Sequence, residues 1–504
     1  MASRCHGSSS RPSPPRQAVP RDELRALFPG LSAEDLQGIT ADSRAVKPGF
    51  LFAALPGSKA DGRRFIADAV AAGAAAVLAP EGTAWPADVP PRPLLASPDP
   101  RRTLALIAAA FHGAQPERVI AITGTNGKTS TADFLRQLMG AHAASLGTLG
   151  LIAPGFPPGE SLTTPDPVKL HATLAALHRA GITDLAIEAS SHGLDQRRLD
   201  GVRLAAAGFT NLTRDHLDYH GSMAAYRAAK LRLFETLLPE GAPAVLHAEM
   251  DAETLAALRG IIAARRLRGI EVGETGRDLR LVAQRALPGG QVLALEGFGE
   301  RAEVTLSVPG RFQADNALVA AALAIGLGHA ASRVVEDLAR LAPVRGRMEL
   351  AATLPHGAAV YVDYAHTPDA LTRLLTALRP HLGAGGKLHV LFGAGGDRDP
   401  GKRPLMGAAA AAGADVVWVT DDNPRSEDPA LIRAAILAAA PGARDAGERE
   451  AAIARALDAL GPGDVLAVAG KGHESGQTIA GVTMPFDDAE VVRRLTGALG
   501  GSRA

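Results

Sequence analysis

The feature that most constrains this chain is a glycine-bracketed turn between an apolar run and a helix-forming segment. Residues 119–122 are Val-Ile-Ala-Ile and predict a buried strand, and Thr131 to Met139 predict the helix that follows. Between them, residues 123–129 read Thr-Gly-Thr-Asn-Gly-Lys-Thr. Such a turn points backbone N–H groups at a phosphate chain, and the helix N-terminus adds partial positive charge. We therefore expect a nucleotide here, with Lys128 on its terminal phosphates and the Thr129 hydroxyl available to Mg²⁺.

The turn alone leaves an alternative open. The general phosphate-loop pattern has a glycine five positions before Gly127, where this chain has Ile122. An ordinary glycine-rich turn between a strand and a helix fits that shortened pattern as well. The choice between the two depends on the rest of the chain.

Composition excludes several classes of protein. Lysine plus arginine and aspartate plus glutamate both number 53, so no net field favours nucleic acid or a membrane surface as partner. The only cysteine, Cys5, rules out an intrachain disulfide and a thiolate metal cluster. That usage is compatible with a reducing cytoplasm, where we expect the protein to act. Residues 1–20 lack the apolar run of a signal peptide, and no later stretch approaches the roughly 18 apolar residues of a membrane span.

The 504 residues are enough for about three domains, and the pattern predicts an α/β protein. We expect a disordered Ser-, Pro- and Arg-containing leader at 1–20 and a small α/β domain at 21–113. A central phosphate-loop domain at 114–342 alternates strands with helices, which predicts a mostly parallel sheet, with a β-rich insert near 277–308. The pattern restarts in a C-terminal Rossmann-like domain at 343–504.

Polar residues follow the predicted strands of the central domain. Glu188 ends the buried run 185–187, and His216 lies shortly after the run 206–210. Ligands collect at the carboxyl ends of strands in open α/β sheets, so Glu188 suits Mg²⁺ coordination. The alternatives are a surface carboxylate for Glu188, a satisfied turn residue for His216, and a solvated helix lysine for Lys230.

The C-terminal domain repeats this arrangement at consecutive strand ends. Arg398 and Arg425 are fork-shaped donors suited to a carboxylate, and Glu474 suits an ammonium. The alternative is a pair of surface arginines bonded to Asp397 or Glu427. The residues by themselves predict a magnesium-nucleotide enzyme whose C-terminal domain closes over a substrate with both a carboxylate and an amine. The strand-end motifs are Asp363-Tyr-Ala-His366, Gly393 to Asp399, Asp421-Asp-Asn-Pro-Arg425 and Gly470-Lys-Gly-His-Glu474.

Taken in order, these motifs resemble those of the Mur ligases, and within them the branch that adds meso-diaminopimelate to UDP-N-acetylmuramoyl-L-alanyl-D-glutamate in peptidoglycan synthesis. The resemblance runs from about Asp42 to Glu474, and the shortened loop at Ile122 is a family property. The further motifs that carry it are Thr163-Thr-Pro165, Glu188-Ala-Ser-Ser-His-Gly193, Asp215-His216, Tyr226-Arg-Ala-Ala-Lys230 and Gly346-Arg-Met-Glu349.

The resemblance implies ATP and Mg²⁺ as cofactors. It implies catalytic roles for Lys128, Lys230 and His216, with Lys230 carbamylated by CO₂ so that a cation becomes a carboxylate. Magnesium would be held by Thr129, Glu188, His216 and Lys230. The implied ATP-binding residues are Gly124, Thr125, Asn126, Gly127, Lys128, Thr129, Ser130, Asn316, Arg347 and His366.

It also implies two substrate sites on what is expected to be a monomer. Arg425 favours diaminopimelate, because members that add lysine tend to lack this arginine, while Ser58-Lys-Ala60 departs from the commoner His-Gln-Ala. The residues implied for the UDP-muramoyl-dipeptide are Ser43, Ser58, Lys59, Ala60, Thr163, Thr164, Ser190, Gln196 and Arg198. Those implied for diaminopimelate are Arg398, Asp422, Asn423, Pro424, Arg425, Gly470 and Glu474.

The expected reaction is activation of the D-glutamate γ-carboxylate as an acyl phosphate, followed by attack of the diaminopimelate amine. Two alternatives stay open. Folylpolyglutamate synthetase joins an amine to an activated carboxylate on the same fold, although the Asp422-Asn-Pro-Arg425 loop and the threonine pair 163–164 argue against it. A nucleotide-driven switch protein would leave the C-terminal strand-end cluster without a purpose.

Overall fold

The computed structural model describes residues 36–57, 60–157, 159, 162–287, 289–498 and 502–503. The predicted leader and the predicted sugar contacts Ser58 and Lys59 lie outside the described residues. The chain divides into two compact units. The first comprises Met1–Glu117, Pro165–Gly181 and Asp195–Arg203, and the second comprises Arg118–Thr164, Ile182–Leu194 and Leu204–Ala504.

The first unit contains a parallel four-stranded sheet with strands in chain order. Successive side chains of β2 point to opposite faces, so Leu51 packs in one core and Phe52 in the other. The strands are β1 (Gly38–Thr40), β2 (Phe50–Ala53), β3 (Ala76–Pro80) and β4 (Leu94–Ser97). The helices are Ile66–Ala71, Pro100–His112 and Pro167–Arg179, with 3-10 turns at Ser43–Ala45 and Gly62–Phe65.

Sequence chemistry sets the starts of the two longer helices of this unit. Asp99 accepts a hydrogen bond from the Arg102 backbone N–H, and Pro100 occupies the first turn. Asp166 and Pro167 repeat that arrangement at the start of the helix Pro167–Arg179. An aspartate cap satisfies a backbone donor that the helix leaves unpaired, and proline there has its φ already set, so both starts follow from local sequence.

The second unit contains a ten-stranded sheet in the order β14-β13-β12-β11-β10-β9-β5-β8-β6-β7. Its middle strands pair in parallel, and β12 to β14 form an antiparallel extension at one side. The strands are β5 (Arg118–Thr123), β6 (Ala143–Gly147), β7 (Gly150–Ile152), β8 (Asp184–Glu188), β9 (Leu204–Phe209), β10 (Pro243–His247), β11 (Arg268–Gly273), β12 (Leu279–Leu287), β13 (Gly290–Gly297) and β14 (Glu300–Leu306).

Helices follow most of these strands. The helix Arg311–Gly326 is buried along most of its length and contributes to the largest hydrophobic core of the unit. The others near this sheet are Lys128–Met139, Ser191–Asp195, Leu217–His220, Met223–Arg232, Ala252–Ala264 and Ala331–Asp337, with a π-helical turn at Leu233–Leu237 and a 3-10 turn at Leu338–Arg340.

A second sheet of seven strands in the order β19-β18-β17-β20-β16-β15-β23 lies in the same unit. Its five strands from β19 to β16 are parallel, with one core on each face. The strands are β15 (Glu349–Thr353), β16 (Ala359–Asp363), β17 (Leu388–Phe392), β18 (Val416–Thr420), β19 (Arg444–Gly447), β20 (Val465–Ala469) and β23 (Ser502–Arg503), and β21 (Gly476–Ile479) pairs with β22 (Val482–Pro485) as a separate hairpin. The helices are Pro368–Leu378, Lys402–Gly413, Pro429–Leu437, Arg449–Asp458 and Asp488–Ala498, with a 3-10 turn at Arg379–His381.

The predicted α/β class, the β-rich insert and the restart of the pattern are confirmed. The helix after the phosphate loop begins at Lys128 rather than at the predicted Thr131, because Gly127 takes a left-handed φ of 85° and turns the backbone into the helix there. The three domain boundaries stay predictions. Among the described residues, no helix combines the length and apolar content needed to cross a bilayer.

Candidate active site

Three neighbouring parallel strands of the ten-stranded sheet end at one edge. The order β9-β5-β8 places the phosphate loop between Glu188 at the end of β8 and Asn211 just after β9. A cleft of about 760 Å³ opens there. Its walls include the loop residues Thr125 to Ser130, the strand-end residues Glu188, Ser190, Asn211 and His216, and Asn316, Arg347 and His366 from later in the chain. The phosphate loop, Glu188 and His216 thus lie at one end of the sheet, as their positions after the strands predicted, while their functional roles stay predictions.

Both glycines of the phosphate loop are required by its geometry. Gly124 has a φ of 142°, and a Cβ there would overlap the Thr210 hydroxyl oxygen. Gly127 has a φ of 85°, and a Cβ there would overlap Asn316 Oδ1. Only glycine tolerates both the conformation and the close approach, so the loop sequence is dictated by the packing around it.

The loop is anchored by Asn211. The Thr125 N–H donates to the Asn211 carbonyl at 2.8 Å, and the Asn126 N–H donates to Asn211 Oδ1 at 3.0 Å. Thr210 Oγ1 donates to the Asn126 carbonyl at 2.6 Å. Asn211 directly follows the predicted strand run 206–210, and the structure shows that it holds the loop.

Lys128 lies on the cleft wall and contacts its own loop. Its Nζ donates to the carbonyls of Gly124 at 3.0 Å and Thr125 at 2.8 Å. Burial lowers the pKa of Lys128, and the carboxylates of Glu188 and Asp215 oppose that shift. A protonated lysine has three N–H donors, so these two contacts leave one for a ligand in the cleft.

Glu188 is 2% exposed and is held by Thr148. The Thr148 N–H donates to Oε1 at 2.7 Å, and the Thr148 hydroxyl donates to Oε2 at 3.2 Å. The alternative of a surface carboxylate is therefore wrong. Among the described residues, no group of three or more His, Cys, Asp or Glu side chains is placed to share a metal ion. Mg²⁺ usually takes only one or two carboxylates beside phosphate and water oxygens, so Glu188 and the Thr129 hydroxyl fit such an ion.

Lys230 is 1% exposed, so the alternative of a solvated helix lysine is wrong. Its Nζ donates to the Gly124 carbonyl at 2.7 Å and lies 4.6 Å from the centre of the Tyr226 ring. Burial and, next, the charge of Lys128 hold the pKa of Lys230 well below its usual value. Tyr226 also reaches the loop, because its hydroxyl lies 3.1 Å from Thr125 Oγ1. Lys230 and Tyr226 thus both contact the phosphate loop, at Gly124 and Thr125 respectively.

His216 caps the helix Leu217–His220 and has a left-handed φ of 52°. Its side chain is 47% exposed, and its ring lies 4.8 Å from that of His192. A left-handed histidine is uncommon and stores some strain, which suits a functional position. Its roles in catalysis and metal binding stay predictions.

The predicted nucleotide residues from later in the chain form a relay of contacts. Asn316 Nδ2 donates to Gln313 Oε1 at 2.9 Å, and Gln313 Nε2 donates to the Arg347 carbonyl at 3.0 Å. The Arg347 guanidinium lies 4.6 Å from the centre of the Tyr364 ring and 3.5 Å from Thr129 Oγ1. Gln313 and Tyr364, which sequence analysis did not select, thus complete this part of the wall.

The residues predicted for the UDP-muramoyl-dipeptide fall into two sets. Thr163, Thr164 and Ser190 belong to the second unit, where the Ser190 N–H donates to Thr164 Oγ1 at 3.0 Å. Ser43, Ala60, Gln196 and Arg198 belong to the first unit, where Arg198 Nη2 donates to Gln196 Oε1 at 2.8 Å. Their predicted role is untested.

The residues predicted for diaminopimelate lie at the carboxyl edge of the seven-stranded sheet, where β18, β17 and β20 are adjacent. Arg425 has a left-handed φ of 55°, and its Nη1 donates to the Gly396 carbonyl at 2.7 Å. A Cβ at Gly395 would lie 2.8 Å from Arg425 Nη1 and 3.8 Å from Arg398 Cγ. The two arginines therefore flank Gly395, while Arg403 takes the Glu427 carboxylate, so the surface-pair alternative is wrong for Glu427.

The neighbouring loop after β20 carries the carboxylate of Glu474, opposite in charge to the two arginines. Asn423 Nδ2 donates to Glu474 Oε2 at 2.9 Å, and the fully buried Lys471 donates to Asn423 Oδ1 at 3.2 Å. Sequence analysis missed Lys471. The signal that could have found it is a lysine between two glycines directly after the buried strand β20.

Arg449 is a second buried residue that sequence analysis missed. It is fully buried with Asp488 and donates to the carbonyls of Asp421 at 3.2 Å and Ala469 at 3.0 Å. These two carbonyls lie at the carboxyl ends of β18 and β20. Arg449 therefore holds together the strand ends that carry the charged loops.

Comparison with protein-family models gives three matches that follow one another along the chain. A model described as "Mur ligase family, catalytic domain" matches residues 35–142. The "Mur ligase middle domain" matches residues 122–324, and "Mur ligase, glutamate ligase domain" matches residues 346–472.

Individual relatives agree with these matches. A protein of Caulobacter vibrioides named UDP-N-acetylmuramoyl-L-alanyl-D-glutamate--2,6-diaminopimelate ligase is 55% identical, over 92% of this chain and 96% of its own length. A protein of the same name from Bradyrhizobium diazoefficiens is 51% identical, over 93% and 96%.

Solved structures give the same answer. A structure of a ligase of that name has a TM-score of 0.70 and 32% identity, covering 96% of this chain and 99% of that one. The MurF ligase of Thermotoga maritima, solved with ADP, is 20% identical with a TM-score of 0.60 and shares the fold, covering 93% and 99%. The chain belongs to the Mur ligase family.

Proposed function

We propose that this chain joins meso-diaminopimelate to UDP-N-acetylmuramoyl-L-alanyl-D-glutamate, with ATP converted to ADP and phosphate, in peptidoglycan synthesis. The name of relatives at 50–55% identity supports this choice within the family. The structural observation that carries it is a pair of strand-end sites in one compact unit. The phosphate loop lies at the strand ends of the ten-stranded sheet, and the oppositely charged Arg425 and Glu474 lie at the strand ends of the seven-stranded sheet.

ATP suits the cleft lined by the phosphate loop of the ten-stranded sheet. The phosphate loop lines that cleft together with Asn316, Arg347 and His366. Backbone N–H groups at the start of the helix Lys128–Met139 and the Lys128 ammonium provide donors for phosphate oxygens. Glu188 and Thr129 would hold Mg²⁺, with His216 and modified Lys230 as the further predicted ligands. Bound there, the ion would neutralise charge on the transferring phosphoryl group.

The proposed chemistry has two steps. The D-glutamate γ-carboxylate attacks the γ-phosphorus of ATP, which gives an acyl phosphate and ADP. The neutral diaminopimelate amine then attacks the acyl carbon, phosphate leaves with the electron pair of the broken C–O bond, and the nitrogen releases a proton to give the amide. Lys128 stabilises charge on the phosphoryl oxygens during the first step, and enclosure of the site keeps water from the acyl phosphate.

Carbamylation of Lys230 is part of the proposal. The reaction with CO₂ requires the neutral amine, and burial beside Lys128 favours that form. A carbamate keeps one N–H, which can still donate to the Gly124 carbonyl now bonded by Nζ. Its new carboxylate would place negative charge beside Lys128.

The charged loops at the strand ends of the seven-stranded sheet recognise the distal centre of diaminopimelate. Arg398 and Arg425, on either side of Gly395, suit its carboxylate, and Glu474 suits its ammonium. We propose that the enzyme is a monomer. We propose the cytoplasm as its location, because ATP is consumed.

The test is an assay of ADP release with each substrate omitted in turn. Release should require both UDP-muramoyl-dipeptide and meso-diaminopimelate, and lysine should be a poor replacement. Release without any amino acid would favour a nucleotide switch, and release that depends on glutamate and a folate would favour folylpolyglutamate synthesis. Either result would overturn the proposal.

A further inference from the structure

The buried ammonium of Lys471 has no role in the chemistry described above. The residue is fully buried at the start of the loop that follows β20, between Gly470 and Gly472. A buried ammonium is costly unless it is paired and hydrogen-bonded. Its neighbours should therefore indicate its purpose.

Among the described residues, the side chains that directly contact this ammonium belong to the set predicted to bind diaminopimelate. Lys471 Nζ lies 3.2 Å from Asn423 Oδ1, 3.5 Å from Glu474 Oε2 and 3.9 Å from Asp422 Oδ1. The first distance is a hydrogen bond, and the other two are ion pairs. Lys471 is thus inside the cluster rather than at its margin.

The contacts determine which way the Asn423 amide faces. Its Oδ1 accepts from Lys471 Nζ and, at 3.0 Å, from the Thr478 N–H. Two donors on one side require the oxygen there, so Nδ2 must face the other way. That Nδ2 donates to Glu474 Oε2 at 2.9 Å and fixes the carboxylate.

The backbone around the cluster supports the same arrangement. Gln477 Nε2 donates to the Asp422 carbonyl at 2.7 Å, and the Arg425 N–H donates to the Thr478 carbonyl at 3.0 Å. The hairpin β21–β22 therefore supports the loop from outside. Lys471 is the only charged donor that reaches Asn423 from inside, among the contacts of the described residues.

We propose that Lys471 is a positioning residue of the amino-acid site: through Asn423 it orients the Glu474 carboxylate toward the distal ammonium of the substrate. This inference rests on the proposed function, because it assumes that the cluster binds diaminopimelate. Lys471 is not proposed to touch the substrate. Its charge also offsets part of the negative charge of Asp422 and Glu474.

Lys471→Met tests the proposal, because it keeps the length of the side chain but removes the donor and the charge. We expect the KM for diaminopimelate to rise about 10-fold to 100-fold, as for the loss of a hydrogen bond from a charged donor. The KM for ATP should change less than about 3-fold, because the phosphate loop belongs to another sheet. An unchanged KM for diaminopimelate, or an equal rise for both substrates, would overturn the proposal.

Two further variants separate positioning from bulk stability. Lys387→Met is the matched control, since Lys387 is exposed before β17 at the opposite edge of the same sheet, and it should leave both KM values unchanged. Lys471→Gln keeps a donor for Asn423 without the charge, and it should recover part of the loss. A Gln variant no better than Met would contradict the hydrogen-bond argument.

A double-mutant cycle tests whether the effect passes through Asn423. If it does, Lys471→Met should add little to the KM increase of Asn423→Ala. Fully additive effects would place the action of Lys471 elsewhere.

A crystal structure of the unmodified enzyme with diaminopimelate does not depend on any variant folding. It should show Lys471 Nζ on Asn423 Oδ1 and away from the amino acid, and direct contact with the amino acid would refute a positioning role. Failure of the proposed function is distinguishable, because the unmodified enzyme would then release no ADP in response to diaminopimelate.

Discussion

Among the described residues two lysines, Lys230 and Lys471, are almost completely buried, one at each strand-end site, and their surroundings differ. Lys230 meets a backbone carbonyl and the face of a tyrosine ring, and within the described residues no carboxylate forms an ion pair with it. Lys471 meets an amide oxygen and two carboxylates. Burial lowers the pKa of both; the charge of Asp215 opposes the shift for Lys230, and the charges of Asp422 and Glu474 oppose it for Lys471.

The difference teaches that the neighbours of a buried lysine decide what it can do. An amine without an acidic partner is favoured in its neutral form, which is the form that reacts with CO₂. An ammonium held by carboxylates stays charged and serves as a fixed donor. This difference supports the two roles that we propose, a carbamylated Lys230 beside the phosphate loop and a positioning Lys471 in the predicted diaminopimelate site.

The largest expected effect is a loss of turnover when the phosphate loop is changed. Lys128→Ala removes the cation of the phosphate loop and should lower kcat by about 10²-fold to 10³-fold or more, as for the loss of a charge-stabilising donor. ADP release in the complete assay measures this. Lys169→Ala, which removes an exposed lysine, should have no effect. Normal turnover by Lys128→Ala would remove the nucleotide from this loop.

Lys230→Ala sharpens the comparison between the two buried lysines. We expect kcat to fall about 10²-fold, since a group that acts on transferring charge is lost. Small carboxylates such as formate should restore part of the activity, and CO₂-free buffer should reduce the activity of the unmodified enzyme. The same additions should do nothing for Lys471→Met. Rescue of both variants would break the comparison.

Arg425→Ala tests the specificity of the predicted diaminopimelate site. The KM for diaminopimelate should rise about 10-fold to 100-fold, because a bond to a carboxylate is lost, while the KM for ATP should stay nearly constant. The variant should also discriminate less between diaminopimelate and lysine. Arg444→Ala is the control, since Arg444 is exposed and stacks on Trp418 at 4.5 Å. Equal effects on both substrates would remove Arg425 from this role.

The smallest expected effect is the loss of folding stability in acid that His473 contributes. Burial, and next the charge of Arg347, lower the pKa of His473 from 6.5 to about 4. Between these pH values the unfolded chain binds a proton that the folded chain does not, so stability falls as pH decreases. We expect a loss of about 1–2 kcal/mol in the free energy of unfolding from pH 6.5 to 4.5.

Urea unfolding at several pH values measures that loss, and His473→Asn should reduce it. Some dependence should remain, because burial also lowers the pKa of His171 in the first unit to about 4. A His473→Asn curve parallel to that of the unmodified protein would contradict the assignment.

The sequence could predict the strand ends better than the side chains behind them. Glu188 and Arg425 follow apolar runs, and the carboxyl ends of parallel strands meet at one edge, so their convergence was predictable. Lys230 and Lys471 were not identified from propensity, because burial of a lysine depends on tertiary neighbours that no local pattern specifies. Only the resemblance to a family singled out Lys230.

Local rules also misplaced one boundary. The helix after the phosphate loop was expected from Thr131, where its apolar periodicity begins. It begins at Lys128 because Gly127 turns the backbone there, and the polar residues of its first turn carry no periodic signal. Functional residues concentrate in that turn, so the pattern was least informative where the chemistry lies.

The hydrogen bonds from Asn316 to Gln313 and from Gln313 to the Arg347 carbonyl have a consequence for protein engineering. His381 adds a second junction, because its Nε2 accepts from the Gly310 N–H at 3.1 Å. A chimaera that imports a relative's last third to change amino-acid preference, with its crossover near residue 343, would cut between both sets of partners. Grafts that keep a histidine at position 381 should therefore assemble more often than grafts that replace it.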